Sequence, residues 1–317
     1  MSMSDRVRDG SPFHPGERAL QDRVGVRDKM EAVGRRVLRN FMPDQHREFF
    51  AMLPFLVLGT VDVAGWPAAS IVTSAPGFAS TPDATTLRIR AQPLPGDAAA
   101  ANLRLGSDIG ILGIDFQTRR RNRANGTITA IDGGGFDVRV MQSFGNCPKY
   151  IQARAWRVAR DDEQGPLEIA AGDALGEAER AMIAGADTFF IASALGHGDE
   201  PGFGVDASHR GGLPGFVRVA DERTLTVPDF SGNLYFNTLG NLLLNPRSGL
   251  LFIDFATGAL LQVWAEAEIV WDGPEVAAVA GAQRLVRFHL ARWRRIANAL
   301  PLRWQFRGYS PFLERAG

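Results

Sequence analysis

Asn102-Leu103 followed by Gly110-Ile111-Leu112-Gly113-Ile114-Asp115-Phe116-Gln117-Thr118 returns in the second half of the chain as Asn241-Leu242 followed by Gly249-Leu250-Leu251-Phe252-Ile253-Asp254-Phe255-Ala256-Thr257. Asn and Asp are 13 residues apart in both copies. Upstream, Pro76-Gly77-Phe78 and Pro214-Gly215-Phe216 precede the asparagines by 26 and 27 residues, and Ala69-Ser70 and Ala207-Ser208 stand seven residues before each proline. Four anchors in one register describe a duplicated unit. Each copy is built of short apolar runs bounded by Gly, Pro and Asn, the pattern of strands. The fold class is therefore mainly β with flanking helices (α+β). A β domain duplicated within one chain most easily preserves a self-complementary interface, which predicts a fused pseudo-dimer.

Outward from the repeat, 317 residues suit two domains of ordinary size. With 45% apolar and 22% charged residues and a formal net charge of zero, the chain has no global field to draw in nucleic acid. Met1 to Gly10 is polar, and no stretch reaches the ~18 apolar residues that span a bilayer, so no membrane partner and a cytoplasmic location are expected. A lone Cys147 excludes internal disulfides and multi-cysteine metal sites. The histidines, His14, His46, His197, His209 and His289, lack metal-ligand spacing, so no metal is expected. Phosphate-loop, G-x-S-x-G and H-E-x-x-H signatures are absent, which disfavours NTPase, hydrolase and zinc-enzyme readings.

The periodicities divide the chain into an N-terminal helical segment (1–52), a first β unit (53–160), a linker with a connecting helix (161–187), a second β unit (188–273) and a C-terminal helix and tail (274–317). The spacing predicts one helix over Glu17–Phe41 and a second from an Asp44 N-cap through Met52. Strands are expected at Phe55–Val61, Ala68–Thr73, Thr85–Ala91, Ile109–Phe116, Thr127–Ile131 and Phe136–Gln142, the last two joined as a hairpin at Asp132-Gly133-Gly134-Gly135. Val286, Leu290, Trp293, Ala297 and Leu300 predict an amphipathic helix over Pro274–Leu300.

Two segments are polar beyond what strand ends require. Ser143-Phe144-Gly145-Asn146-Cys147-Pro148-Lys149-Tyr150 packs a cation, a thiol and a phenol into a few residues, the cation being one of only two lysines in the chain. Asp206-Ala207-Ser208-His209-Arg210-Gly211-Gly212, with Pro228-Asp229-Phe230-Ser231-Gly232-Asn233, offers the hydroxyls, the Arg fork and the close backbone approach that a phosphate monoester needs. The plain alternatives are a turn around a structural Cys for the first segment and a pair of exposed turns for the second.

These segments carry a resemblance. S-H-R-G-G-x-P-G-F at 208–216, P-D-F-S-G-N at 228–233, N-L-L-L-N-P-R-x-G-L-L-F-I-D-F at 241–255, R-R-R-N-R-x-N-G at 119–126 and F-G-N-C-P-K-Y-I at 144–151 resemble the two-barrel branch of the flavin-nucleotide-binding proteins related to pyridoxamine 5′-phosphate oxidase. The resemblance covers most of the chain, from about Phe13 onward. It implies two tandem FMN-binding split β-barrels. It also implies a phosphate grip at Arg210, Ser231 and Asn233, with Ser208, His209 and Asp229 as further contributors. Gln262 would approach the isoalloxazine ring, and Asn146, Cys147, Lys149 and Tyr150 would close over the flavin.

Matching the two copies on Ala-Ser and Pro-Gly-Phe sets His209 and Arg210 opposite Ile71 and Val72, so only the second copy can grip a phosphate. The offsets of Cys147 and Lys149 from Asp115 reach Val286 and Phe288 in the second copy. One composite FMN site per chain follows. The resemblance implies a flavin-dependent oxidoreductase acting on a small molecule with an external reductant, NAD(P)H or a reductase. A non-catalytic carrier of flavin, haem or deazaflavin is the alternative, and a homodimer of the pseudo-dimer stays open. Oxidation of pyridoxamine 5′-phosphate is not expected. Of the C-terminal string that activity uses, the chain has Trp304-Gln305 and Arg307 without the His and second Arg.

Overall fold

The computed structural model describes residues 10–195 and 204–313; the polar start of the chain at 1–9 and His197 lie outside the described residues. Three helices open the chain, α1 (Pro15–Arg23), α2 (Arg27–Val37) and α3 (Asp44–Ala51). The single helix expected over Glu17–Phe41 is thus two, broken where Gly25 adopts φ +70. Asp44 is the first helical residue of α3 and not its cap. Pro43 holds the cap position, and the Asp44 carboxylate lies 3.0 Å from Arg47 Nη1.

The rest is mostly strand. β1 (Phe55–Val61), β2 (Pro67–Thr73), β3 (Ala79–Asp83), β4 (Thr86–Ile89), β5 (Asp108–Asp115), β6 (Arg120–Asp132) and β7 (Gly135–Asn146) make one antiparallel sheet in the order β2-β1-β5-β6-β7-β4-β3. β8 (Ala153–Val158) and β9 (Glu168–Gly172) connect it to β10 (Thr188–Ala194), β11 (Val205–Gly211), β12 (Arg218–Val219), β13 (Thr224–Phe230), β14 (Arg247–Ile253), β15 (Leu260–Val270) and β16 (Ala282–Ala297). These follow the path β11-β10-β14-β15-β16-β13-β12, with β9 added on β16, while β17 (Leu302–Gly308) pairs with β8. The second path repeats the first, strand for strand.

The remaining helices are α4 (Ala99–Asn102), α5 (Glu177–Gly185), α6 (Asn237–Leu244) and α7 (Pro274–Ala277). The repeated asparagines do the same work in both sheets. Asn102 Nδ2 donates to Thr60 Oγ1 on β1 at 3.1 Å, and Asn241 Nδ2 to Ser193 Oγ on β10 at 3.1 Å.

The helix expected over Pro274–Leu300 is a correction: α7 is a single turn and β16 is a 16-residue strand. Val286, Phe288 and Leu290 are buried while His289 and Ala291 are exposed, a period of two. A bulge leaves Ala291 unpaired opposite Trp264 and Ala265, and the one-residue shift moves the next buried side chain to Trp293. That shift imitates helical spacing. The second β unit consequently runs past 273 to Ala297. The strand register also sets Asn146, paired with Arg121, opposite Ile296, paired with Leu260. Cys147 therefore matches Ala297 in the second copy, not Val286.

Burial accounts for the assembly. One apolar cluster fills the first sheet's interior and another the second's. A third joins Phe55, Val57, Ile71, Leu112 and Ile114 to Phe190, Ala207, Leu251, Ile253 and Leu260 across the seam, with Trp304 sealing its end. Removing this surface from water holds the halves together.

Candidate functional site

A cleft of about 850 Å³, open mouth included, lies where β6 and β7 of the first half meet β11, β13 and α6 of the second. Asn146, Cys147, Lys149 and Tyr150 form one wall; Ser208, His209, Arg210, Asp229 and Asn233 form the opposite one. Both polar segments therefore meet across the seam. Asn233 Nδ2 donates to Asn146 Oδ1 at 3.0 Å, and Lys149 Nζ and the Tyr150 hydroxyl reach the Ser231 carbonyl at 3.5 and 3.2 Å. Gly211 makes the approach feasible, because a Cβ there would lie 2.1 Å from the Tyr150 carbonyl. Phe216, Phe230, Phe236 and Leu239 supply an apolar floor.

Arg121 and Arg123, on β6, enter the cleft beside these residues. Arg123 Nη1 meets Asp206 Oδ1 and Oδ2 at 2.9 and 3.0 Å and Asn237 Oδ1 at 3.0 Å, and its Nη2 donates to the Ser208 hydroxyl. The Ser208 hydroxyl also bonds Thr238 Oγ1 at 2.7 Å, so it holds Arg123 in place and does not face the cleft alone. Arg121 has no carboxylate at ion-pair distance among the described residues. It donates to the Cys147 carbonyl at 3.1 Å and to His209 Nδ1 at 3.0 Å. Burial lowers both guanidinium pKa values, that of Arg121 to about 10. Burial likewise raises the Asp229 carboxyl, while Arg210 at 3.9 Å and Arg284 at 3.6 Å pull it back.

No family model and no curated protein matches this chain. Among solved structures, HupZ of Group A Streptococcus shares 12% identity over 38% of this chain and 98% of its own, with a TM-score of 0.30. A putative pyridoxamine 5′-phosphate oxidase from Lactobacillus delbrueckii shares 16% over 38% and 94%, also at 0.30. A FAD-binding protein from Mesorhizobium loti shares 12% over 41% and 98%, at 0.26. Each is a partial likeness at low identity.

Two of the sequence-derived site residues stand apart from the cleft walls. The Ser231 carbonyl accepts from Lys149 and Tyr150, and the residue does not line the cavity. Gln262 also lies outside the cleft. It is 1% exposed and lies elsewhere on the seam, donating to the Ala69 carbonyl at 2.9 Å, Ser70 Oγ at 3.1 Å and Asp97 Oδ2 at 3.2 Å, and accepting from Ala98 N at 3.3 Å. The registers explain the displacement. Gln262 pairs with Leu251 on β14 as Arg123 pairs with Leu112 on β5, so the two residues occupy equivalent places in opposite copies. Eight residues after Asp254 is Gln262, and eight after Asp115 is Arg123. That offset was the available signal for Arg123.

The twin of the cleft is thus closed by an amide. Burial raises the Asp97 carboxyl to about 6, against hydrogen bonds from Ser70, Ala99 N and Gln262 that lower it. A carboxyl whose folded pKa is raised weighs against stability at neutral pH, and the penalty is relieved as pH falls through about 6. Gln262→Leu is expected to cost about 1–3 kcal/mol at pH 8 and less at pH 5, with ligand binding in the cleft unchanged. Urea melts at the two pH values check the first part. A loss of cleft binding would return Gln262 to the site.

Proposed function

We propose that the chain is a pseudo-dimer of two split β-barrels that binds one FMN in the seam cleft and acts as a flavin-dependent oxidoreductase with an external reductant, NAD(P)H or a reductase. The observation that carries the reading is the cleft's surplus of buried donors. Arg123 Nε, Asn146 Nδ2 and His209 Nε2 are buried without a hydrogen-bond partner, and all three are nitrogens placed to donate. With Arg121, Arg210 and Lys149 alongside, the walls suit an acceptor-rich anion, and the aromatic floor suits a flat ring. The residues present therefore fit a flavin phosphate: Arg210, Asn233 and Asn146 would hold the phosphate, and Tyr150, Phe230 and Phe236 would flank the ring. Bound flavin brings its own one- and two-electron chemistry. The chain's contribution would be to orient it, to exclude water with the phenylalanines, and to supply from Lys149 and Arg121 positive charge that favours the electron-rich reduced form.

Purified protein is expected to be yellow and to release one FMN per chain on denaturation. Arg210→Ala should weaken FMN roughly ten- to hundredfold, the equivalent of one charge-assisted contact of about 1.5–3 kcal/mol, while riboflavin, lacking the phosphate, loses little. Fluorescence titrations of both ligands measure this. A Soret band in place of flavin absorbance favours the haem-carrier alternative; two flavins per chain would contradict a closed twin. Bleaching of the flavin by NADH or NADPH separates enzyme from carrier.

A further inference from the structure

Arg121 and His209 come from different halves and meet inside the cleft with Nη1 and Nδ1 3.0 Å apart. A guanidinium can only donate, so Nδ1 must carry the lone pair. A neutral imidazole with a lone pair on Nδ1 has its proton on Nε2. His209 is 3% exposed, and its Nε2 has no partner. The Phe190 ring packs edge-on to the imidazole, with the ring centroids 5.8 Å apart, and His209 itself lines the cleft. A buried N–H without an acceptor is costly, and such groups concentrate where a ligand completes them.

We infer that His209 is a specificity-determining hydrogen-bond donor, fixed as the Nε2–H tautomer by Arg121, and that it donates to an oxygen of the cleft's ligand. The assignment rests on the flavin reading for the identity of that oxygen, a ring carbonyl or a phosphate oxygen. It gives His209 no role as a base, because its basic nitrogen is engaged by Arg121. Burial and the charges of Arg121, Arg210 and Arg154 also hold the imidazole well below its ordinary pKa. Arg121 is the positioning residue; it would set which ring nitrogen is free to donate.

The test is nuclear magnetic resonance of the full chain labelled with 15N-histidine, with the His209 signals assigned by their loss in His209→Gln, followed by titration with FMN and with riboflavin. In the ligand-free protein the His209 ring is expected as the neutral Nε2–H tautomer at neutral pH. Arg121→Met should release that tautomer. FMN should shift the Nε2 resonance and leave the tautomer unchanged. His209→Phe is expected to weaken binding about tenfold, and His209→Gln, which retains a donor, to recover part of it. Equal losses for FMN and riboflavin place the oxygen on the ring; a loss for FMN alone places it on the phosphate. An Nδ1–H tautomer, an imidazolium, or undiminished binding of both ligands by His209→Phe would overturn the inference. Wild-type protein that binds neither ligand would overturn the flavin reading and the acceptor with it, whereas the tautomer stands or falls on the ligand-free spectrum.

Discussion

Gly249→Ala and Gly110→Ala are each expected to destabilise the fold by about 3 kcal/mol, the upper part of the range for overpacking. A Cβ on Gly249 would lie 2.5 Å from the Pro67 carbonyl oxygen and 2.6 Å from Ala68 Cα; one on Gly110 would lie 2.6 Å from the Val205 carbonyl oxygen and 2.8 Å from Asp206 Cα. Both clashes are with backbone, which cannot turn aside as a side chain would. They are also reciprocal. β5 of the first half crosses β2's counterpart, β11, and β14 of the second half crosses β2. The same glycine of the repeat makes the same contact from each side, so the two substitutions should cost similar amounts. Urea unfolding measures this, with Gly133→Ala as control: a Cβ at that hairpin position meets nothing within 4 Å. A cost below about 0.5 kcal/mol at either seam glycine, the scatter of ordinary surface changes, would mean that the sheets do not cross as closely as described.

The repeated strand order was legible because its anchors are residues with one structural task each. Asn102 and Asn241 tie a helix to the first strand of each sheet, and Gly110 and Gly249 fit a crossing that admits no side chain. Strands bounded by turn residues, such as Phe55–Val61 and those of the hairpin at Asp132–Gly135, run where their short apolar segments place them. β16 was not legible, because one bulged residue at Ala291 converts a strand's alternation into a helix-like spacing, and nothing local distinguishes the two. For the cleft, the density of polar groups at 143–150 and 206–212 marked both walls. Arg121 and Arg123 escaped because alternating arginines on a strand have the look of a solvated face; they face inward only because the second sheet lies against them. Gln262 was misplaced by counting along one copy, where the seam exchanges walls between copies.

Arg123→Met is expected to cost about 3–5 kcal/mol, the loss typical of breaking a buried ion pair from one side. Its guanidinium side chain is 8% exposed and the Asp206 carboxylate 6%, and the pair spans the seam. Among the described residues Asp206 keeps only Asn125 Nδ2 at 3.2 Å and the Ser208 hydroxyl at 3.0 Å as side-chain donors once Arg123 is removed, too little for a buried charge. The pair itself need not be worth that much. Its Coulomb attraction is offset by the desolvation of both ions, so Arg123→Met combined with Asp206→Leu should recover most of the stability. The double variant separates the two tasks given to Arg123. If the guanidinium only fastens the halves, FMN binding returns with the fold. If its unpartnered Nε also belongs to the ligand, the refolded double variant still binds FMN roughly ten- to hundredfold more weakly than wild type, the loss of one charge-assisted donor. The second result is expected, because a neutral leucine–methionine pair can seal the seam but cannot face an anion. Wild-type affinity in a stable double variant would remove Arg123 from the binding site and leave Arg121 and Arg210 as its cations.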